Sequence, residues 1–384
     1  MEYREWQRSE RMGGSMALEI LSAGPMTTIQ DLGRQGYAGR GYRRCGACDK
    51  YAMRLANLLA WNLSGEDNSS VVEFTLSGGR IRFTEGALIA LTGADMCPKL
   101  DGSPISMYRT VQVHPGQVLE LGIVRSGLRS YLAVSGGLDV PNMMGSSSTD
   151  TICRIGGLDG GALKAGDWLE LGRESWLWGD RTRAEQVFTH LQEKNAEFLL
   201  TEDLFWIRTA SFRYRSMGQE LLPVLRTVAG PQEDAFTAEA MEVLRRSVYR
   251  VSADSNRMAC RLDGPGLEAE HGYDIISDGI VEGSVQVSAN GQPIVMLADH
   301  QTTGGYAKIG TVISADIPAI AQRRPGEHIG FLFITPEEAN EAYRLEEKKL
   351  SWFRWKLLEH LKKYAPPEAA DLFSRLDCGE EIQL

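Results

Sequence analysis

The stretch Pro293–Ala315, PIVMLADHQTTGGYAKIGTVISA, sets two short apolar runs on either side of a polar centre. Runs such as PIVML and TVISA, bounded by turn residues, have the length of buried strands and are too short for independent helices. The same punctuation repeats along most of the chain. From Ala17 to Leu171 the runs are LEIL, VVEFTL, RIRF, ALIALTG, QVLELGIV, SYLAVSGG and DWLELG, separated by Gly, Pro or Asp. From Leu222 it returns with LRTVAGPQ, VYRVS, ACRLDG, GSVQV and HIGFLFI. Strands this closely spaced imply a sandwich or barrel, because βαβ units need a helix between them.

Helices interrupt the pattern at few places. DKYAMRLANLLAWN places Met53, Ala56, Leu59 and Ala60 at helical spacing, with Asp49 as the N-cap. EDAFTAEAMEVLRRS predicts another. Thr335-Pro336-Glu337-Glu338 is a capping box with proline at the first helical position, predicting a long helix to about Lys363. YAPPEAADLFSRL would be a short helix after a proline break. The stripe Trp352, Phe353, Trp355, Leu357, Leu358 and Leu361 reads first as core packing and second as a surface for a partner.

These signals divide the chain into a flexible leader (1–16), a first β domain (17–172), a charged connector (173–222), a second β domain (223–335) and a helical extension (336–384). A length of 384 residues suits two domains. The 43% apolar and 24% charged content is that of a globular protein. A net charge of −10 and a pI near 5.3 argue against a nucleic-acid binder, which needs a basic face to displace counterions from phosphates. No apolar run reaches the roughly 18 residues a membrane helix needs. The first sixteen residues have no apolar core for a secretory signal, and six scattered cysteines suggest reduced thiols in the cytoplasm.

The polar centre at Asp299–Lys308 admits two readings. A surface hairpin explains Thr and Gly as turn residues. A site explains more: Gly304-Gly305 would let backbone N–H groups form an anion nest, and Thr302 and Thr303 would add hydroxyls beside it. Lys308 would supply a positive charge for a carboxylate or developing oxyanion. A second polar cluster, SDGIVEGSVQV, carries Asp278, Glu282 and Gln286, and a carboxylate near Lys308 would be held ionised. In LTGAD, Asp95 reads as a turn aspartate.

Other motifs are weaker. No G-x-x-x-x-G-K-[ST] loop occurs, so a P-loop nucleotide site is absent. Cys45-Gly-Ala-Cys48 supplies only two of zinc's four ligands and reads as unpaired thiols at a helix start, where the dipole would lower a thiol pKa. The six histidines show no metal-ligand spacing, so no metal site is expected.

TTIQDLGRQGYAGRGYRRCGACDKYAMRLANLLAWN, LIALTGADM, SYLAVSGGLDVP, LKAGD, GPQEDAFT, SDGIVEGSVQV and GQPIVMLADHQTTGGYAKIGTVISAD follow one another in an order that resembles the biotin-dependent carboxyltransferase family, also called allophanate hydrolase subunit 2. The resemblance spans about Leu18 to Phe333. It implies a mainly β fold of two cyclophilin-like β-barrel domains, here with added helices. It implies a cytoplasmic enzyme component of a hetero-oligomer, whose partners are a KipI-like protein and a LamB/YcsF-like protein. The activity implied is ATP-dependent opening of the 5-oxoproline lactam to L-glutamate, with ATP used by the assembled complex. Relatives in the family carry two other implied functions, a biotin-dependent carboxyltransferase acting on urea or an amide, and a non-catalytic KipA-like regulator of a KipI-like antikinase.

Carried over by motif, the resemblance implies Lys308, Asp278, Thr302, Thr303 and Tyr306 as catalytic residues. It implies Gln286, Asp299, Gln301, Gly304, Gly305, Asp95, Asn256, Arg257 and Met258 as substrate-binding residues. Three positions depart from the usual pattern: His300 stands for an arginine, Ala307 for a proline and Asn256 for an aspartate. The first and last changes together remove one positive and one negative charge.

Overall fold

The structure, a computed structural model, describes residues 16–63, 68–172, 181–194, 213–217 and 220–366. The expected leader before Met16, most of the connector and the predicted short helix after the proline break lie outside the described residues.

The first set of strands is β1 (Met16–Ser22), β2 (Met26–Gln30), β3 (Val71–Thr75), β4 (Arg80–Phe83), β5 (Ala87–Asp95), β6 (Lys99–Leu100), β7 (Ser103–Pro104), β8 (Thr110–Val113), β9 (Val118–Glu120), β10 (Ser126–Val134), β11 (Leu138–Asp139) and β12 (Trp168–Leu171). They form two sheets, ordered β2-β3-β10-β5-β8 and β11-β12-β1-β4-β9-β6-β7. One core lies between them. Ile29, Phe74, Ile89 and Leu132 come from the first sheet, and Leu18, Ile81, Phe83, Leu119 and Leu169 from the second. Alternation decides which residues enter it, as in β4, where Arg80 and Arg82 are exposed and Ile81 and Phe83 buried.

The second set is β13 (Arg213–Met217), β14 (Glu220–Ala229), β15 (Tyr249–Val251), β16 (Ala259–Asp263), β17 (Asp274–Gly279), β18 (Ser284–Val287), β19 (Pro293–Met296), β20 (Thr303–Tyr306), β21 (Lys308–Val312) and β22 (His328–Phe333). Eight of these strands form a sheet ordered β13-β14-β21-β18-β19-β16-β15-β22, and β22 pairs back onto β14 in parallel. That last pairing closes a seven-stranded barrel and removes its open edges. The remaining two, β17 and β20, pair with each other as a separate ribbon. The mainly β architecture with added helices is as the sequence predicts.

Helix α1 (Lys50–Leu59) starts where expected, with the Asp49 carboxylate accepting from the Ala52 N–H at 2.8 Å. Its backbone is bonded to the sheet below: the Thr92 hydroxyl donates to Ala52 O and that of Thr110 to Leu59 O, each at 2.7 Å. Helix α2 (Arg181–Glu193) lies within the connector. The second set holds α3 (Ala238–Arg246), capped by Thr237, and the short α4 (Ile317–Ala321).

Helix α5 (Pro336–Tyr364) carries the predicted capping box, with both reciprocal bonds between Thr335 and Glu338. Its apolar stripe returns to the first set of strands. Leu350, Phe353, Leu357, Leu358 and Leu361 share one core with α1, with Trp61, and with Val187, Phe188 and Leu191 of α2. The packing reading of this stripe therefore holds, and α5 ties the end of the barrel to the opposite half of the molecule. Phe353→Ala should cost about 3–5 kcal/mol of stability by opening this shared core. Calorimetric melting checks this; an unchanged transition would place α5 outside the cooperative fold.

Candidate functional site

Lys308 is the buried centre of the site. It begins β21, pairs with Gln286 of β18, and is 2% exposed. A buried ammonium is costly unless its protons find acceptors. Two do: Nζ donates to Asp278 Oδ2 at 2.7 Å and to Gly279 O at 3.1 Å. Asp278 lies near the end of β17 and stands at the protein surface with about half its side chain exposed. Its carboxyl is held below the usual range, first by the Lys308 hydrogen bond, then by the Gly279 N–H and the Gln232 amide. The expectation of an ionised carboxylate at Lys308 is met in geometry.

Gln232 is a residue that sequence reasoning missed. Its Nε2 donates to Asp278 Oδ2 at 3.3 Å, and its Oε1 accepts from the Lys308 backbone N–H at 3.2 Å. It reaches both because Gly230 lies against β21: a Cβ there would stand 2.1 Å from Lys308 O. The signal was the Gly-Pro-Gln turn after β14, inside a motif already noted for resemblance.

The expected anion nest is not formed. Thr303-Gly304-Gly305-Tyr306 is strand β20, paired so that Gly304 faces Asp278 and Thr303 faces Gly279. Neither glycine has a positive φ. The physical reason is β17, which turns this segment into an extended ribbon instead of a concave turn. Gly304 is required for closeness instead, since a Cβ would meet Ile280 Cδ1 at 2.6 Å and Gln286 Nε2 at 2.9 Å. Gln286 in turn donates to Tyr306 O at 3.2 Å, holding the ribbon against the barrel. The Thr302 carbonyl accepts from the Ile280 N–H at 3.0 Å, and the Gln301 carbonyl lies 2.7 Å from His300 Nδ1. The ribbon's outer face is open, with Ile276 95% and Tyr306 37% exposed, and Val281 just beyond β17 is 59% exposed.

The other predicted residues lie elsewhere. Arg257 and Asp299 form a buried pair at 2.8 and 2.9 Å, in a network joining the two halves of the chain. The Arg257 guanidinium also reaches the Glu73 carboxylate of β3 and, at 2.6 Å, Gly46 O. Glu73 accepts from the Cys48 N–H at 3.0 Å. Burial alone would raise the Glu73 carboxyl; Arg257 and Arg129 overcome it and hold it low. A further link crosses the same boundary, where Gln322 donates to Asp49 Oδ2 at 2.8 Å and accepts from the Leu128 and Arg129 N–H groups. Asn256 caps its own turn, its Oδ1 accepting from the Met258 N–H at 2.7 Å. Asp95 pairs with exposed Arg125 and accepts from the Cys97 N–H, at the end of β5 in the first set of strands.

Cys45 and Cys48 are free, buried thiols. The expected lowering of their pKa is overturned, because burial pushes both up, Cys48 to about 11. Among the described residues no cluster of metal-ligating side chains occurs, and no helix is long and apolar enough to cross a membrane.

Comparison with known proteins gives this geometry a family. Residues 40–333 match the family model described as carboxyltransferase domain, subdomain A and B. The chain is 36% identical over 340 residues to the C subunit of 5-oxoprolinase from Escherichia coli K12, a match covering 88% of this chain and 98% of that one. It is 29% identical over 346 residues to urea amidolyase of Saccharomyces cerevisiae, covering 84% of this chain and 17% of the relative. Among solved structures, Kluyveromyces lactis urea carboxylase superposes with a TM-score of 0.70 at 25% identity, covering 88% of this chain and 29% of that one. The chain belongs to the carboxyltransferase-domain family defined by subdomains A and B.

Proposed function

We propose that this chain is the C subunit of an ATP-dependent 5-oxoprolinase, opening the lactam of 5-oxoproline to L-glutamate together with two further chains, one KipI-like and one LamB/YcsF-like. The observation that carries this reading is the 36% identity to the C subunit of 5-oxoprolinase, over 98% of that protein. The Lys308 geometry supports it. Two of the three ammonium protons are held by Asp278 and Gly279 O, leaving one for an incoming amide oxygen. A fixed positive charge in a desolvated setting stabilises the oxyanion that forms when the carbonyl is attacked.

The exposed rim at Asp278 and the apolar residues on the neighbouring ribbon support a site completed by another chain of the complex. Gly304-Gly305 is extended strand and not a phosphate cradle, and the sequence carries no P-loop. ATP is accordingly assigned to the assembled complex, and no step on this chain depends on contact with it. Lys308 would polarise the lactam carbonyl while Asp278 and Gln232 hold its ammonium in place.

Co-expression with the KipI-like and LamB/YcsF-like partners and assay of 5-oxoproline is the test. ATP-dependent glutamate release by the complex, and none by the isolated chain, is expected. A folded assembly of all three chains that releases no glutamate would overturn the reading.

A further inference from the structure

A cleft of about 220 Å³ lies on the boundary between the two halves of the chain and shares no residue with the Lys308–Asp278–Gln232 group. It has room for about seven waters, and so for a molecule of a few carbons. Five apolar side chains form most of its wall: Leu76 and Leu128 from the first half, and Leu297, Ile320 and Pro325 from the second. The charged groups in the lining are Arg129 and Arg323, with no carboxylate beside them. Cys260 adds no negative charge, because burial pushes its thiol up to about 11 against the Ser255 hydrogen bond. Asn256, exposed at the cleft, has its Oδ1 engaged by the Met258 N–H, so its amide has only N–H groups left to offer.

Both guanidinium groups have donors to spare. Arg129 is 3% exposed, and its Nη1 donates to Ala321 O. Its Nε is sealed from solvent, 3.9 Å from Glu73; its Nη2 is not sealed and has no partner among the described residues. Arg323 is more open, with 28% of its side chain exposed, and its two Nη groups donate no hydrogen bond among the described residues. Glu327 stands 3.7 Å from Arg323 Nε but gives both oxygens to Arg324, at 2.7 to 2.9 Å. Glu73 thus offsets Arg129, and Glu327 offsets Arg324. One positive charge, that of Arg323, is left over at the cleft.

We infer that this cleft binds a small aliphatic monocarboxylate, its carboxylate on Arg323 and Arg129 and its hydrocarbon chain on the leucine and isoleucine wall. Sign, charge and shape each narrow the class. The lining offers N–H donors and no carboxylate, which selects an anion. One uncompensated guanidinium matches one negative charge, whereas a dianion such as phosphate would carry a second, unmatched charge against five apolar side chains. The planar fork of a guanidinium fits the two oxygens of a carboxylate. No step of lactam opening involves this cleft, so the inference goes beyond the catalytic reading and does not rest on it.

NMR titration of the full-length chain, methyl-labelled at Ile and Leu, tests this with pentanoate, using pentanamide and pentylamine as neutral and cationic controls of the same length. Pentanoate should shift the methyls of Leu76, Leu128, Leu297 and Ile320 saturably. Arg323→Gln removes the open charge at a partly exposed position and should weaken binding at least about tenfold. Asn256→Asp keeps the oxygen that caps the Met258 N–H, sets a negative charge at the cleft, and should weaken binding similarly. Pentanoate that leaves those four methyls unmoved would overturn the inference. So would either control binding as tightly as pentanoate, or unchanged affinity in Arg323→Gln with its melting transition retained. Glutamate release by the assembled complex is a separate readout, so the two proposals fail independently.

Discussion

Lys308→Met in the assembled complex should lower glutamate release by about 10²–10³-fold, the scale of removing one oxyanion-stabilising donor. The substitution keeps the volume of the side chain inside the barrel. It strands no buried charge, because Asp278 is half exposed and hydrates once its partner is gone. The melting transition should therefore change little while turnover collapses. Asp278→Asn should cost less, since the ammonium keeps the Gly279 carbonyl at 3.1 Å. The pH dependence has a definite sign. Asp278 has a depressed pKa in the folded protein, so its pairing is complete above the ordinary carboxylate range and lost as pH falls through the depressed value. Turnover near neutrality should show no titration from this residue. A Lys308→Met complex with wild-type turnover would remove the lysine from the chemistry.

Arg257→Met should cost about 3–5 kcal/mol of stability, the usual result of deleting one partner from a buried ion network. Arg257 is 6% exposed, and it serves Glu73 from the first set of strands and Asp299 from the second. Removing it leaves the buried Asp299 carboxylate without its cation, and Glu73 with Arg129 alone. The double variant Arg257→Met, Asp299→Asn should recover a large part of the loss, because Glu73 then keeps its pair with buried Arg129 and no buried charge is left without a partner. Chemical denaturation of the wild type and both variants measures this. If the single and double variants were equally damaged, the loss would come from packing and not from charge.

Much of the architecture was legible because its signals are local. Glycine-bounded apolar runs mark the strands, Asp49 marks the start of α1, and Thr335 to Glu338 marks the start of α5. What escaped depends on contacts far apart in sequence. Glu73 and Arg257 are 184 residues apart, and Gly46 and Arg257 are 211 apart. No periodicity announces such a network, so Arg257 and Asp299 read as pocket residues from the sequence when the fold buries them as a clamp. The Lys308–Asp278 pairing was readable because both residues belong to short polar stretches that interrupt the apolar runs, although both stretches fold as strand. The conformation of Gly304-Gly305 was not, because diglycine suits a nest and an extended close approach equally, and β17 decides between them. The cysteines follow the same logic: helix position suggested a lowered thiol pKa, but burial is set by the whole core.

A structure of the assembled complex with bound 5-oxoproline bears most directly on the role given to Lys308. The lactam oxygen should lie within hydrogen-bond distance of its Nζ, with Asp278 and Gln232 still paired beneath and a partner chain covering the ribbon. Lactam bound at a different surface, with Lys308 sealed from it by an ordered interface, would contradict the account.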